Sequence, residues 1–225
     1  MGKPGMLDIR PNSRGNRFRA ARVARLRSLI DKTLARKPQC RVLDIGGTYN
    51  FWHIWRDEID WSKTEVVCVN LDPAHAEEGK DGTRIKMMHG NACDLNNIGD
   101  NEFDVVFSNS VIEHVGQWRN MAAMAKEVKR IAPRYLVQTP YFWFPIEPHA
   151  QTPFLHWLPQ SWAYRVVMAR KCGYWSKATT VSQAVEAVQS AQMIDFRQMQ
   201  ALFEDAQITR ERFLGMTKSL IAVRE

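Results

Sequence analysis

From residue 40 onward, short runs of apolar and β-branched residues alternate with helical stretches, and that alternation constrains the fold more than any other feature of the chain. Residues 41–45 (RVLDI), 65–70 (EVVCVN), 84–89 (RIKMMH), 103–108 (FDVVFS) and 134–139 (RYLVQT) read as five strands, with a helix over 116–131. Nearly continuous apolar strands joined by helices indicate a parallel sheet covered on both faces. The tail departs from the alternation. A helix near 196–203 precedes two strands, 207–213 and 218–223, separated by only a few residues. Such a hairpin adds an antiparallel edge to a parallel sheet.

The 225 residues suit one domain, placed at 40–225, behind a basic segment at 1–39. No run of about 18 apolar residues is present, which argues against a spanning helix. The first residues lack the apolar stretch of a secretory signal. Cys40, Cys68, Cys93 and Cys172 form no CxxC pair. The expected compartment is therefore the cytoplasm.

The net charge of +7 is unevenly placed. Residues 1–41 carry +10 and the remainder −3, so the body is mildly acidic. Within the basic segment, Phe18, Val23, Leu26, Ile30 and Leu34 recur at helical spacing. The expectation is a helix docked by its apolar stripe with its arginines in solvent. Contact with an anionic membrane or with a phosphate-bearing substrate is the alternative use of that charge. On this view, removing residues 1–36 leaves the sheet able to fold.

Residues 140–192 do not fit the alternation. Residues 141–164 hold eight of the 23 aromatic side chains, interspersed with Pro145, Pro148, Pro153 and Pro159. Proline at that density excludes a regular helix or a central strand. Helix becomes plausible only at 161–171 and 181–192. This insertion follows the fifth strand, on the edge where open α/β sheets bind ligands. Trp143, Phe144, Phe154 and Trp157 either line an acceptor pocket or face outward.

Four short motifs follow the strands. Asp44, Gly46 and Gly47 form a strand-to-turn junction where a backbone without side chains permits close approach of a ligand. The second strand ends in Asn70-Leu71-Asp72-Pro73, where a polar side chain suits ribose hydroxyls. The third ends in Gly90-Asn91-Ala92, where an amide suits an adenine edge. The fourth runs into Ser108-Asn109-Ser110-Val111-Ile112-Glu113-His114.

Taken together, these motifs resemble the class I S-adenosylmethionine-dependent methyltransferases, most closely the small-molecule type 11-like group. The resemblance covers residues 40–139 and the terminal hairpin. It implies an α/β, Rossmann-like sheet of seven mostly parallel strands with an antiparallel last strand. Helices cover both faces, and the 140–192 insertion forms a helical and aromatic lid. It also implies S-adenosyl-L-methionine as cofactor. Asp44, Gly46 and Gly47 would border its methionine part and Asn70 or Asp72 its ribose. Asn91 and Ala92 would border the adenine, with Ser108 and Asn109 beneath the sulfonium. The sequence departs from the family pattern at Asn50, where the motif ends in glycine, and at Asn70 and Asn91, where carboxylates are common.

His114, Glu113 and His149 are the candidate catalytic residues, because transfer to a hydroxyl requires proton removal beside the methyl group. The small-RNA 3′-terminal 2′-O-methyltransferases are similar in using a Glu-x-x-Glu-His run and a later His to hold a divalent ion. Here Ser110 stands at the first ligand position; Glu113, His114 and His149 could still supply three ligands, but the sequence alone assigns no metal. The expected activity is methyl transfer to a small-molecule or glycan- or lipid-linked acceptor, at oxygen. An RNA methyltransferase tracking phosphates with its basic N-terminus, and a cofactor-binding protein without transfer activity, are the alternatives.

Overall fold

The computed structural model describes residues 14–71 and 83–225. Five parallel strands come first: β1 (Cys40–Ile45), β2 (Thr64–Asn70), β3 (Ile85–His89), β4 (Val105–Asn109) and β5 (Arg134–Pro140). A small pair, β6 (Ile146–Glu147) and β7 (Thr152–Pro153), lies apart from the main sheet. β8 (Gln207–Phe213) and β9 (Met216–Arg224) close the chain as a hairpin, with β9 antiparallel to β5. The seven-stranded order is β3-β2-β1-β4-β5-β9-β8. This is the Rossmann-like arrangement expected, and the order reverses between β1 and β4. Strand ends diverge there, which opens a crevice at their carboxyl edge.

Successive strand side chains point to opposite faces, so each buried strand feeds two cores. Val42, Val66, Val105, Phe107, Leu136 and Ile221 face one side, where they meet helix α1 (Arg14–Leu34) and the short α2 (Tyr49–Ile54). Leu43, Ile45, Val67, Val106, Tyr135 and Leu220 face the other. There α3 (Trp118–Ile131) buries Met121, Met124, Ala125, Val128 and Ile131, a stripe at three- and four-residue spacing. The insertion carries α4 (Gln160–Ala169) and α5 (Val181–Gln189) around a small core of its own, including Ala163, Val167 and Ala184. α6 (Phe196–Leu202) follows, started by a capping box between Asp195 and Gln198.

The basic segment only partly matches the expectation. Val23, Leu26, Leu29 and Ile30 of α1 are buried against the sheet, while Arg17, Arg25 and Arg27 face solvent. Arg22 does not. It shares the helix face of Leu26, four residues on, and is itself buried. Its Nε donates to Glu211 Oε1 (2.8 Å), and one terminal nitrogen donates to Asn109 Oδ1 (2.7 Å) and Gln138 Oε1 (2.9 Å). The basic helix is thus wired into the ends of β4 and β5. Among the described residues, no helix is long and apolar enough to cross a membrane.

Candidate active site

The turn after β1 is shaped by steric necessity. Gly46 has φ +78°, and a Cβ there would lie 2.3 Å from Val111 Cγ2. A Cβ on Gly47 would lie 2.1 Å from Asp44 Oδ2. Thr48 then caps α2, its hydroxyl accepting from the Phe51 amide at 3.3 Å. Helix α2 therefore begins without the glycine that usually ends this motif, and Asn50 is simply its second residue. Asp44 is buried beneath the turn, and Trp52 Nε1 donates to its Oδ2 at 2.7 Å. Burial pushes the Asp44 pKa up to about 8, against the lowering effect of the Trp52 hydrogen bond.

Two cavities meet at this turn. A small one of about 130 Å³ is lined by Arg19, Asp44, Gly46, Gly47, Thr48 and Asn109, among others. A larger cleft of about 630 Å³ runs past Gly46, Thr48, Asn70, Asn91, Ala92 and His114. Gly46 and Thr48 border both. Asp44, Gly46, Gly47, Asn70, Asn91, Ala92 and Asn109 each line one or both of these neighbouring cavities. The Asn70 side-chain amide donates to the Gly47 carbonyl, which fixes its orientation. Ser108 is fully buried, and its hydroxyl donates to the Ile45 carbonyl (3.2 Å), so it lies under the crevice and does not line it. Asp72 lies outside the described residues.

Beyond β4 the chain turns through Ser110, held at φ +59° with its amide on the Gln138 carbonyl. A short 3-10 turn, Ile112–His114, follows. It buries Glu113 and leaves His114 at the cleft. One Glu113 oxygen accepts from Thr139 Oγ1 at 3.0 Å; the other, Oε1, is buried without a partner. Burial raises the Glu113 pKa, opposed by the charge of His114 and the Thr139 hydrogen bond. His149, 35 residues later in sequence, packs edge-on against His114 with ring centroids 4.7 Å apart. Its Nδ1 lies 2.7 Å from Glu147 Oε1. Burial lowers the His149 pKa, but the Glu147 hydrogen bond and charge outweigh it and the net shift is upward. His114 Nδ1 lies 2.7 Å from the Ser190 carbonyl. The three candidate catalytic residues are therefore brought together.

The sequence reading missed Arg19 and Trp52, and also Glu147 and Ser190, which hold the two imidazoles. Arg19 sits near the apolar stripe of α1, and that position was its only sequence signal. Half of the aromatic residues of the insertion face outward. Trp143, Phe154 and Trp157 are exposed, with the Trp157 ring tilted against those of Trp143 and Phe154 at 5.9 and 4.9 Å, whereas Phe144 is buried. None of the four borders the cleft.

Residues 43–134, less than half of the chain, match the family model described as "Methyltransferase domain". No curated protein matches in sequence. Among solved structures, the PH0226 protein from Pyrococcus horikoshii is 18% identical with a TM-score of 0.54, covering 98% of this chain and 94% of its own. An S-adenosylmethionine-dependent methyltransferase from Methanosarcina mazei is 11% identical with a TM-score of 0.51, covering 83% and 92%. The CurJ carbon methyltransferase is 12% identical with a TM-score of 0.54; 90% of this chain spans 54% of that one, about half its length. At such identities the likeness is one of fold, and it agrees with the strand order and the crevice. The strand order and the matched segment together place residues 43–134 within a methyltransferase-type fold, similar to that of the S-adenosylmethionine-dependent enzyme from Methanosarcina mazei.

Proposed function

We propose that the domain transfers a methyl group to a hydroxyl oxygen of a small molecule or of a glycan- or lipid-linked precursor. Displacement at a sulfonium methyl needs alignment of the nucleophile and, for a hydroxyl, a destination for its proton. The observation that carries the reading is the His114–His149 pair beside the cleft. A carbonyl only accepts, so His114 bears its proton on Nδ1 toward Ser190 and keeps a lone pair on Nε2. The Glu147 carboxylate selects the same tautomer in neutral His149. Glu113 supports the pair from beneath.

The cofactor's amino-acid end fits the small cavity, its ammonium at Asp44 and its carboxylate at Arg19. The turn at Gly46 and Gly47 gives its backbone room. Asn70 or Asp72 takes the ribose, Asn91 and Ala92 the adenine, and Asn109 the floor beneath sulfur. Ser108 shapes that floor through the backbone alone.

The test is transfer from isotopically methyl-labelled cofactor to parallel panels of phenols, sugars and amines, with products identified by mass spectrometry. Label is expected in methyl ethers. His149→Ala is expected to slow transfer by about 10²–10⁴-fold, with affinity for S-adenosylhomocysteine unchanged within about twofold. Transfer confined to nitrogen or carbon acceptors would sink the oxygen assignment.

A further inference from the structure

Among the described residues, five buried side-chain polar atoms have no hydrogen-bond partner, and Glu113 Oε1 is the one carboxylate oxygen of the five. An orphaned carboxylate oxygen forfeits a hydrogen bond and costs free energy unless something meets it. The acceptor atoms of Glu113, His114 and His149 all lie within 4.8 Å of one another. We propose that these three residues form a binding site for a divalent first-row transition ion, a deepening of the oxygen-transfer reading above that the bare histidine pair does not require.

Three features support the assignment. The first is the donor set, two imidazole nitrogens and one carboxylate oxygen, which suits ions of the zinc, manganese or iron type and not magnesium. Second, each imidazole has its other nitrogen on an acceptor: His114 on the Ser190 carbonyl and His149 on the Glu147 carboxylate, both at 2.7 Å. That is how ligating histidines are ordinarily oriented, with the outer partner fixing the tautomer and directing Nε2 inward. Glu147 is itself buried and also accepts from the Ala150 amide, so its carboxylate is held in place. The third feature is the orphaned Glu113 Oε1, whose companion oxygen is anchored by Thr139. Ligand atoms on one ion at about 2.1 Å stand roughly 3.0–4.2 Å apart, so closure from 4.8 Å needs only small side-chain adjustments.

Three ligands leave coordination positions open toward the cleft that His114 borders. An acceptor hydroxyl meeting an ion there ionises more readily, because the cation stabilises the oxyanion. Its proton leaves to solvent. The oxygen then bonds to the methyl carbon as the carbon–sulfur bond breaks, with that electron pair remaining on sulfur as the neutral thioether.

The test uses the full chain, stripped with a chelator and titrated with Mn²⁺ by electron paramagnetic resonance and with Zn²⁺ by calorimetry. One ion per chain is expected, with nitrogen couplings in the Mn²⁺ spectrum that change on ¹⁵N-histidine labelling. Millimolar Mg²⁺ should not displace it. Glu113→Gln and His149→Ala should each weaken binding by at least 100-fold, and Glu147→Gln by about 10–100-fold, in proteins whose circular dichroism melts show them folded. Should Glu113→Gln fail to fold, the nitrogen couplings and His149→Ala decide the matter. Absence of stoichiometric binding, absence of nitrogen coupling, or affinity indifferent to His149→Ala would overturn the site. Undiminished hydroxyl methylation in excess chelator removes the ion's role and leaves the histidine-pair reading intact. Ion binding in a protein that methylates only amines does the reverse.

Discussion

Asp44 occupies the position where the two protonation states differ most in consequence. Its pKa is raised to about 8 by burial, well above the ordinary value near 4 of an unfolded chain. The native state therefore holds this proton more tightly than the unfolded state does. Its contribution to stability is greatest below about pH 4 and is lost as pH rises toward 8. Asp44→Asn removes that slope, so its melting temperature should gain on the wild type steadily between pH 4 and 8 and not beyond. Binding the cofactor's ammonium should ionise Asp44 and release a proton. Affinity for S-adenosylhomocysteine should then rise by up to about tenfold per pH unit below 8, measured by calorimetry in buffers of different ionisation enthalpy, and Asp44→Asn should abolish the trend. Gly46 makes a different demand. An alanine there meets Val111 Cγ2 and carries a left-handed φ. Strain of about 1–2 kcal/mol and overpacking of about 1–3 kcal/mol should add in urea unfolding. Gly46→Ala with Val111→Ala should recover the packing part alone.

At the scale of elements, α1 is attached by a buried ion pair as well as by its apolar stripe. Arg22 and Glu211 side chains are each 8% exposed. Removing one partner leaves a buried charge, which costs about 3–5 kcal/mol. Arg22→Met should lower stability by that amount in urea, and adding Glu211→Leu should restore part of it. The strands of the main sheet, its terminal hairpin included, were legible in sequence to within two residues, because continuous apolar runs bounded by turn residues leave little choice. Helix α2 was not. Its six residues are too few for periodicity, and its start depends on one capping hydroxyl at Thr48. Arg22 was read as solvent-facing because composition marks arginine as a surface residue, although its spacing from Leu26 put it on the buried face. Asp44, Gly46 and His114 were legible because they lie in or shortly after the carboxyl ends of β1 and β4. Glu147 stands only two residues before His149, but no motif marks it as that ring's partner. Ser190 was not legible, since it meets His114 across 76 residues and only chain closure brings them together.

For the whole molecule, helix α1 of the basic segment packs as part of the sheet's core. Val23, Leu26, Leu29 and Ile30 are each at most 3% exposed. At about 1.5–3 kcal/mol per buried side chain, their loss approaches the entire stability of about 5–15 kcal/mol typical of a domain. Deletion of residues 1–36 should therefore give aggregated protein or one without a cooperative melt, contrary to the expectation that the sheet folds alone. The insertion has a different standing. It leaves the sheet after β5 and contributes His149 and Glu147, and near its far end the Ser190 carbonyl and the Gln192 amide reach His114 and the Glu113 carbonyl. The insertion thus completes the Glu113–His114–His149 cluster from two points about forty residues apart in sequence. On the proposed reading, a graft of residues 140–194 onto a related sheet would carry half of the reaction chemistry with it as one transferable cassette.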